Sequence, residues 1–275
     1  MLRIPHPWWT SLKDVIFKHL SGSSSLLDLG CGSGRVLERI IEADIPKVYG
    51  IDIDVERLME ARVRCPPANL VASELRYLPF RDETFDAVLI SMVLHEVESF
   101  GGGLDAVKGA LMEAGRVLVY GGKAVIIDHL SPGSEMVTAK LTSEMMEKLR
   151  LFTDRFIHHK PRWIGLGDGK VKISKRDLQE FATKIRSLDS SLEMVETHAP
   201  FTREELLKML MECHLTPTLM IEFQSIEDKL SEAGIKLLDS KPWMRKILCM
   251  AEKGCLNPMP QNEKLKPKDR FKMLV

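Results

Sequence analysis

The chain has 275 residues, 44% of them apolar, and a formal net charge of zero; it is long enough to bury a real core and lacks the overall basic excess of a polyanion binder. No apolar run approaches the roughly 20 residues that span a bilayer, and residues 1–10 lack the apolar stretch and cleavage site of a secretory leader. The five cysteines (Cys31, Cys65, Cys213, Cys249 and Cys255) form no CxxC pair, which suits a reducing, cytoplasmic setting and argues against a disulfide framework or a structural zinc.

In chain order, residues 1–25 hold Pro5, Pro7 and the Trp8–Trp9 pair, then an amphipathic helix capped by Thr10 or Ser11 with Leu12, Val15, Ile16 and Leu20 on one face. This segment reads as an N-terminal cap helix, with the tryptophans either covering a site or anchoring the helix. Strands are expected at 26–29, 48–51, 70–72, 87–91 and 123–127, and helices at 35–43, 55–65 and 104–118. Strands alternating with helices imply βαβ units and a parallel sheet covered on both faces. Residues 134–200 break the alternation: they are Met-rich, basic and mostly helical in pattern, with a turn at 165–169 and a helix at 175–185. Thr202 followed by Glu204 and Glu205 caps a helix to about 213. Strands at 218–223 and 247–251 close the domain. The expected organisation is one domain over 26–255 with a helical, basic insertion at 134–200, then a disordered proline- and lysine-rich tail over 256–275.

The segment Leu26-Leu27-Asp28-Leu29-Gly30-Cys31-Gly32-Ser33-Gly34-Arg35 runs from an apolar strand through Gly-x-Gly-x-Gly into a helix. Glycines there let the chain turn sharply and a ligand approach the backbone. The dinucleotide pattern wants glycine at G-x-G-x-x-G, and Arg35 occupies that last position. Asp52, 22 residues after Gly30, ends the second strand, where a carboxylate accepts hydrogen bonds from the ribose of an adenosyl ligand. Those two features indicate adenosine without choosing the cofactor.

The next motifs choose it by resemblance. Glu74-Leu75-Arg76-Tyr77-Leu78-Pro79-Phe80, then Thr84-Phe85-Asp86-Ala87-Val88, Leu94-His95-Glu96-Val97 and Glu113…Arg116-Val117-Leu118 resemble the class I S-adenosylmethionine-dependent methyltransferases. Among these they are similar to the ubiquinone/menaquinone C-methylase-like, type 11, group. The resemblance covers 26–130 and, less sharply, 200–222. It implies a seven-stranded, mostly parallel, doubly wound α/β sheet, Rossmann-like, with a helical lid after the fifth strand, and S-adenosyl-L-methionine as cofactor. It further implies that Asp28 and the loop of Gly30, Cys31, Gly32 and Gly34 hold the methionine end. Asp52 then binds the ribose diol and Ile53 packs on the adenine. Glu74 or the Leu75 N–H reads the adenine edge, and Ser91 lies beside the sulfonium.

A methyl on a sulfonium is already electrophilic, so the protein chiefly aligns a nucleophile; a base is needed only for a protonated one. His95 and His129, after the fourth and fifth strands, are the candidates for base or acceptor contact. His158-His159 in the insertion reads as surface or lid. The insertion also carries a charge asymmetry: residues 148–186 hold 11 Lys/Arg against 4 Asp/Glu. The expected acceptor is a small organic molecule under the lid. The alternative is a tRNA, with Arg155, Lys160 and Arg162 on phosphates and Phe152, Phe156 and Trp163 on bases.

Overall fold

The computed structural model describes residues 7–42 and 45–254 and, in the first helix, the side chains of Leu12 and of Val15 onward. Helix α1 (Pro7–Leu20) precedes the alternating unit β1 (Ser25–Leu29), α2 (Arg35–Ile41), β2 (Lys47–Asp52), α3 (Val55–Arg64) and β3 (Asn69–Ala72). The unit continues through β4 (Phe85–Ser91), α4 (Leu94–Gly101), α5 (Leu104–Val117) and β5 (Leu118–His129). These strands join β9 (Leu215–Ser225) and β11 (Met244–Lys253) in one seven-stranded sheet of order β3-β2-β1-β4-β5-β11-β9. Strands β1 to β5 run parallel, and β11 lies antiparallel to both β5 and β9. This is the expected doubly wound α/β sheet, and its order reverses between β1 and β4, where such sheets bind ligands.

The strands read as continuous apolar runs because both faces are covered. Leu26 and Leu27 on β1, and Val88 and Leu89 on β4, are all fully buried. They divide between two cores. Leu27 and Val88 pack with Leu111 of α5 and Leu210 of α9 (Arg203–Glu212), while Leu26 and Leu89 pack with Leu37 and with Leu12 and Ile16 of α1. The N-terminal helix thus rests on the sheet; the side chains of Trp8 and Trp9 lie outside the described residues, as does the tail after Gly254.

The signature around Leu78–Asp86 holds the scaffold. Arg116 of α5 donates to the carbonyls of Phe80 and Leu78, and Glu113 accepts the Leu78 N–H. Tyr49, Phe80 and Phe85 pack edge to face at 4.9–5.9 Å. Asp86 accepts from the Ser24 and Ser25 N–H groups and from the Ser25 hydroxyl, fastening β4 to the start of β1.

The insertion corrects one expectation: it is not mostly helical but an α/β layer. Strands β6 (Met136–Lys140), β7 (Trp163–Gly167) and β8 (Lys170–Ser174) form an antiparallel sheet with β10 (Lys236–Leu237), in the order β10-β6-β8-β7. Helices α6 (Ser143–Arg155), α7 (Lys175–Lys184) and α8 (Ser191–Val195) complete it, and α10 (Glu227–Glu232) joins from the β9–β11 connection. The layer has its own core, in which Phe152, Phe156 and Phe181 meet Ile226 and Leu230. So the β9–β11 connection, Ile226 included, packs with the insertion; alternating Val137, Ala139, Val171 and Ile173 supply the sheet's buried face. Among the described residues, no helix is long and apolar enough to cross a membrane.

Candidate active site

Three glycines build the floor of the site. Gly30, Gly32 and Gly34 have φ of +74°, +50° and +76°, the left-handed region that favours glycine. A Cβ on Gly30 would sit 2.5 Å from Cγ2 of Val93, and one on Gly34 would press on Ala61 and Cys65. On Gly32 its nearest neighbour would be the guanidinium of Arg57, at 2.7 Å, so that Arg57 reaches over the loop.

Two carboxylates frame this loop. Asp52 ends β2 and accepts the N–H of Gly32 at 2.6 Å and of Asp54 at 2.9 Å. Asp28, on β1, is 1% exposed, and neither carboxylate oxygen has a partner among the described residues. Burial, with Asp52 nearby, pushes its carboxyl up to about 8. A buried carboxyl without a donor is costly, and it sits two residues before the glycine turn.

A cavity of about 340 Å³ opens at the carboxyl ends of β1, β2 and β4. Of the residues singled out in the sequence, Gly30, Asp52, Ile53, Glu74 and Leu75 line it. Ile53 is 72% exposed at its rim, and Glu74 pairs with Arg76. Asp28, Cys31, Gly32 and Gly34 belong to the surrounding strand and loop, and Ser91 ends β4 beside the lining residue Met92. Glu96 of the Leu94–Val97 motif also lines the cavity, as do Arg57, Met92 and Phe100, which sequence reasoning missed. Phe100, an aromatic 54% exposed on α4, leaves the clearest trace; Met92 shows only in the backbone, at φ +55°.

Beyond Met92 lies a cluster of histidines. His95 is buried, with Nδ1 2.6 Å from Asp128 Oδ1 and Nε2 2.8 Å from Glu196 Oε1. Asp128 also accepts the N–H groups of Val93, Leu94 and His129, so both its oxygens are engaged. Burial opposes a charge on His95, but Asp128 and then Glu196 hold it up to about 10. The His129 ring meets His95 edge-on at 4.8 Å and stacks on His198 at 4.5 Å. Burial, then His198 and His95, hold His129 well below the usual imidazole range, so it is neutral. The insertion reaches this cluster through α4: Glu196 meets His95, His158 Nε2 lies 2.6 Å from Glu98, and Ser99 accepts the Thr197 N–H. His159 pairs with Asp177 at 2.7 Å inside the insertion. The described cysteines, Cys31, Cys65, Cys213 and Cys249, are buried free thiols.

Comparison with known proteins agrees with this geometry. Residues 27–126 match the methyltransferase domain family of type 11. The chain is 32% identical to a demethylmenaquinone methyltransferase of Tropheryma whipplei (strain Twist) over 115 residues, 41% of this chain and 45% of that protein. It is 29% identical to the mitochondrial arginine-hydroxylase NDUFAF5 of Danio rerio over 89 residues, 32% of this chain and 28% of that protein. The matches thus span less than half the length of either relative. In fold it resembles an S-adenosylmethionine-dependent methyltransferase from Mesorhizobium loti (TM-score 0.57, 19% identity, covering 90% of this chain and 99% of that one). It also resembles a geranyl diphosphate C-methyltransferase from Streptomyces coelicolor (TM-score 0.53, 13% identity, 89% and 77%). Over residues 27–126, then, the chain carries a methyltransferase domain of type 11.

Proposed function

We propose that this protein transfers a methyl group from S-adenosylmethionine to a small organic acceptor. The observation that carries the reading is Asp28: a buried carboxyl with two unpartnered oxygens, two residues before Gly30, which lines the cavity that Asp52 also borders. An ammonium group satisfies such a carboxylate through charge-assisted hydrogen bonds, and the cofactor's methionine end carries one. Asp52, fixed by two backbone N–H groups, receives the ribose hydroxyls. Exposed Ile53 packs on the adenine, Glu74 and Leu75 border its edge, and Arg57 over Gly32 faces the methionine carboxylate.

The bound cofactor supplies an activated methyl on a sulfonium. The chain's task is to orient the acceptor and exclude water. In this arrangement both ring nitrogens of His95 are occupied, so we assign it to positioning: it ties α4 to the insertion. The insertion acts as a cover, since 196–198 lies against α4, with Glu196 on His95, close to the cavity-lining Glu96, and the Thr197 N–H on Ser99.

An RNA substrate is the less supported reading. Much of the basic charge in 148–186 is already paired, as with Arg155 to Asp189, Lys175 to Glu135 and Arg186 to Glu232. The test is calorimetry with S-adenosylhomocysteine and NAD. We expect micromolar or tighter binding of the former and none comparable of the latter; the reverse result sinks the reading.

A further inference from the structure

Strands β5 and β11 are antiparallel, and their register pairs His129 with Lys246. Directly opposed residues put their side chains on one face, with Cβ atoms about 4.5–5.5 Å apart. Both belong to the carboxyl edge at which the cofactor cavity opens.

Neither has its full set of strong partners. Lys246 is 4% exposed, and the hydrogen-bond partner of its Nζ is the thioether sulfur of Met92, at 3.5 Å. A thioether is a weak acceptor, and a buried ammonium needs a counter-charge. The nearby carboxylate of Asp128 is fully engaged by His95 and three backbone N–H groups. Glu196 is turned to His95, and the adjacent Arg245 adds positive charge. Burial first, then Arg245, hold the ammonium down to about 8. His129 is 6% exposed, and its Nδ1 has no partner among the described residues. Its ring is neutral, so it can donate one N–H.

Met92 connects this pair to the cofactor. It lines the cavity on one side and caps Lys246 on the other. An unbranched methionine side chain shifts easily, and its displacement would open Lys246 to whatever lies beside the cofactor.

We propose that Lys246 and His129 form an oxyanion receptor for the methyl acceptor, which is therefore a small acid carrying a carboxylate or an ionised phenol or enol. A buried cation beside a ring N–H is the donor set that an oxygen anion satisfies with charge-assisted hydrogen bonds. The acceptor oxygen takes the place of the Met92 sulfur at the ammonium, and no proton needs to leave it at that point. The inference rests on the methyltransferase reading above and names the class of its acceptor.

The test uses the full chain saturated with S-adenosylhomocysteine, as wild type, Lys246→Met and Lys246→Arg. Each is titrated calorimetrically with benzoate, 4-nitrophenolate, benzyl alcohol and benzylammonium, and S-adenosylhomocysteine affinity is measured on the same samples. We expect the wild type to take at least one of the two anions about tenfold or more tighter than benzyl alcohol. Which anion wins separates the carboxylate from the phenolate. Lys246→Met should lose that preference and Lys246→Arg should keep part of it, all three retaining S-adenosylhomocysteine affinity. If neither anion is preferred by the wild type, or Lys246→Met prefers it equally, the receptor is wrong. Failure of wild type to bind S-adenosylhomocysteine would instead overturn the methyltransferase reading.

Discussion

Nε2 of His95 lies 2.8 Å from Oε1 of Glu196, and this contact joins the methyltransferase core to the segment returning from the insertion. The imidazole is clamped from its other side by Asp128 at 2.6 Å. A histidine between two carboxylates is a charged tie, and a charged tie depends on pH.

The folded His95 sits near 10 against 6.5 when free, so the native state holds this proton more tightly than the unfolded one. Its stabilisation is complete below about pH 6.5 and is lost as pH rises toward 10. His95→Gln, which leaves Asp128 buried without its cation, should cost about 3–5 kcal/mol at pH 6. Denaturant titrations across pH should show that gap shrinking between pH 7 and 10. A gap that stays constant over this range would mean that His95 is not charged in the native state.

Asp28 should behave in the opposite sense to an ordinary paired carboxylate. Its folded value is about 8 against 3.8 when free, so the native state binds the extra proton and the buried group costs stability increasingly as pH rises from about 4 to 8. Asp28→Asn should therefore stabilise the ligand-free protein, more so at pH 8 than at pH 5. The same variant should bind S-adenosylhomocysteine at least about tenfold more weakly, from one lost charge-assisted bond. Wild-type binding near pH 7 should release a proton, because an arriving ammonium selects the ionised carboxylate. Calorimetry in buffers of different ionisation enthalpy measures this directly; no release, together with unchanged affinity in Asp28→Asn, removes Asp28 from the site.

The three loop glycines should not be equivalent. Gly30→Ala drives a Cβ to 2.5 Å from the Val93 side chain, whereas Gly32→Ala meets the end of a flexible arginine. Both also carry the strain of a left-handed non-glycine residue, on the order of 1–3 kcal/mol. Gly30→Ala should thus lower the melting temperature more than Gly32→Ala, and Gly32→Ala should act mainly on cofactor affinity by displacing Arg57. Equal melting temperatures would show that Val93 can give way.

This ranking marks where the sequence is readable. Gly-x-Gly-x-Gly after an apolar strand specifies a turn whose positive φ values follow from local chemistry, and Asp52 follows from its place at a strand end. Thr202 and Glu205 likewise form the capping box expected of their spacing. What escaped was set by packing between distant segments. Lys246 and His129 become neighbours only through an antiparallel register across 117 positions of chain, and Glu196 has no sequence mark tying it to His95. The strands of the insertion were hidden for another reason: β6, β7 and β8 have 5 residues each, and the stronger helical periods of α6 and α7 flank them.

The last prediction concerns the basic excess over 148–186. That excess arises from where the window is drawn, because the acids that answer it lie just outside. Lys148 meets Glu144, Arg155 meets Asp189, Lys175 meets Glu135, and Lys184 lies 3.3 Å from Glu193. Lys160 donates to the Thr153 carbonyl at 2.6 Å. A phosphate backbone would have to compete with those partners, so the expected affinity for tRNA is weak. Changing Arg155, Lys160 and Arg162 together to glutamine should alter the log–log dependence of tRNA binding on salt very little. Three true phosphate contacts would each have contributed a slope of about −0.7 to −0.9. The measurement is a filter-binding series between low and physiological salt with wild type and the triple variant, alongside S-adenosylhomocysteine binding as a check that both are folded. A tight, salt-sensitive tRNA complex that the triple change abolishes would overturn the small-acceptor reading and make the insertion an RNA-binding face.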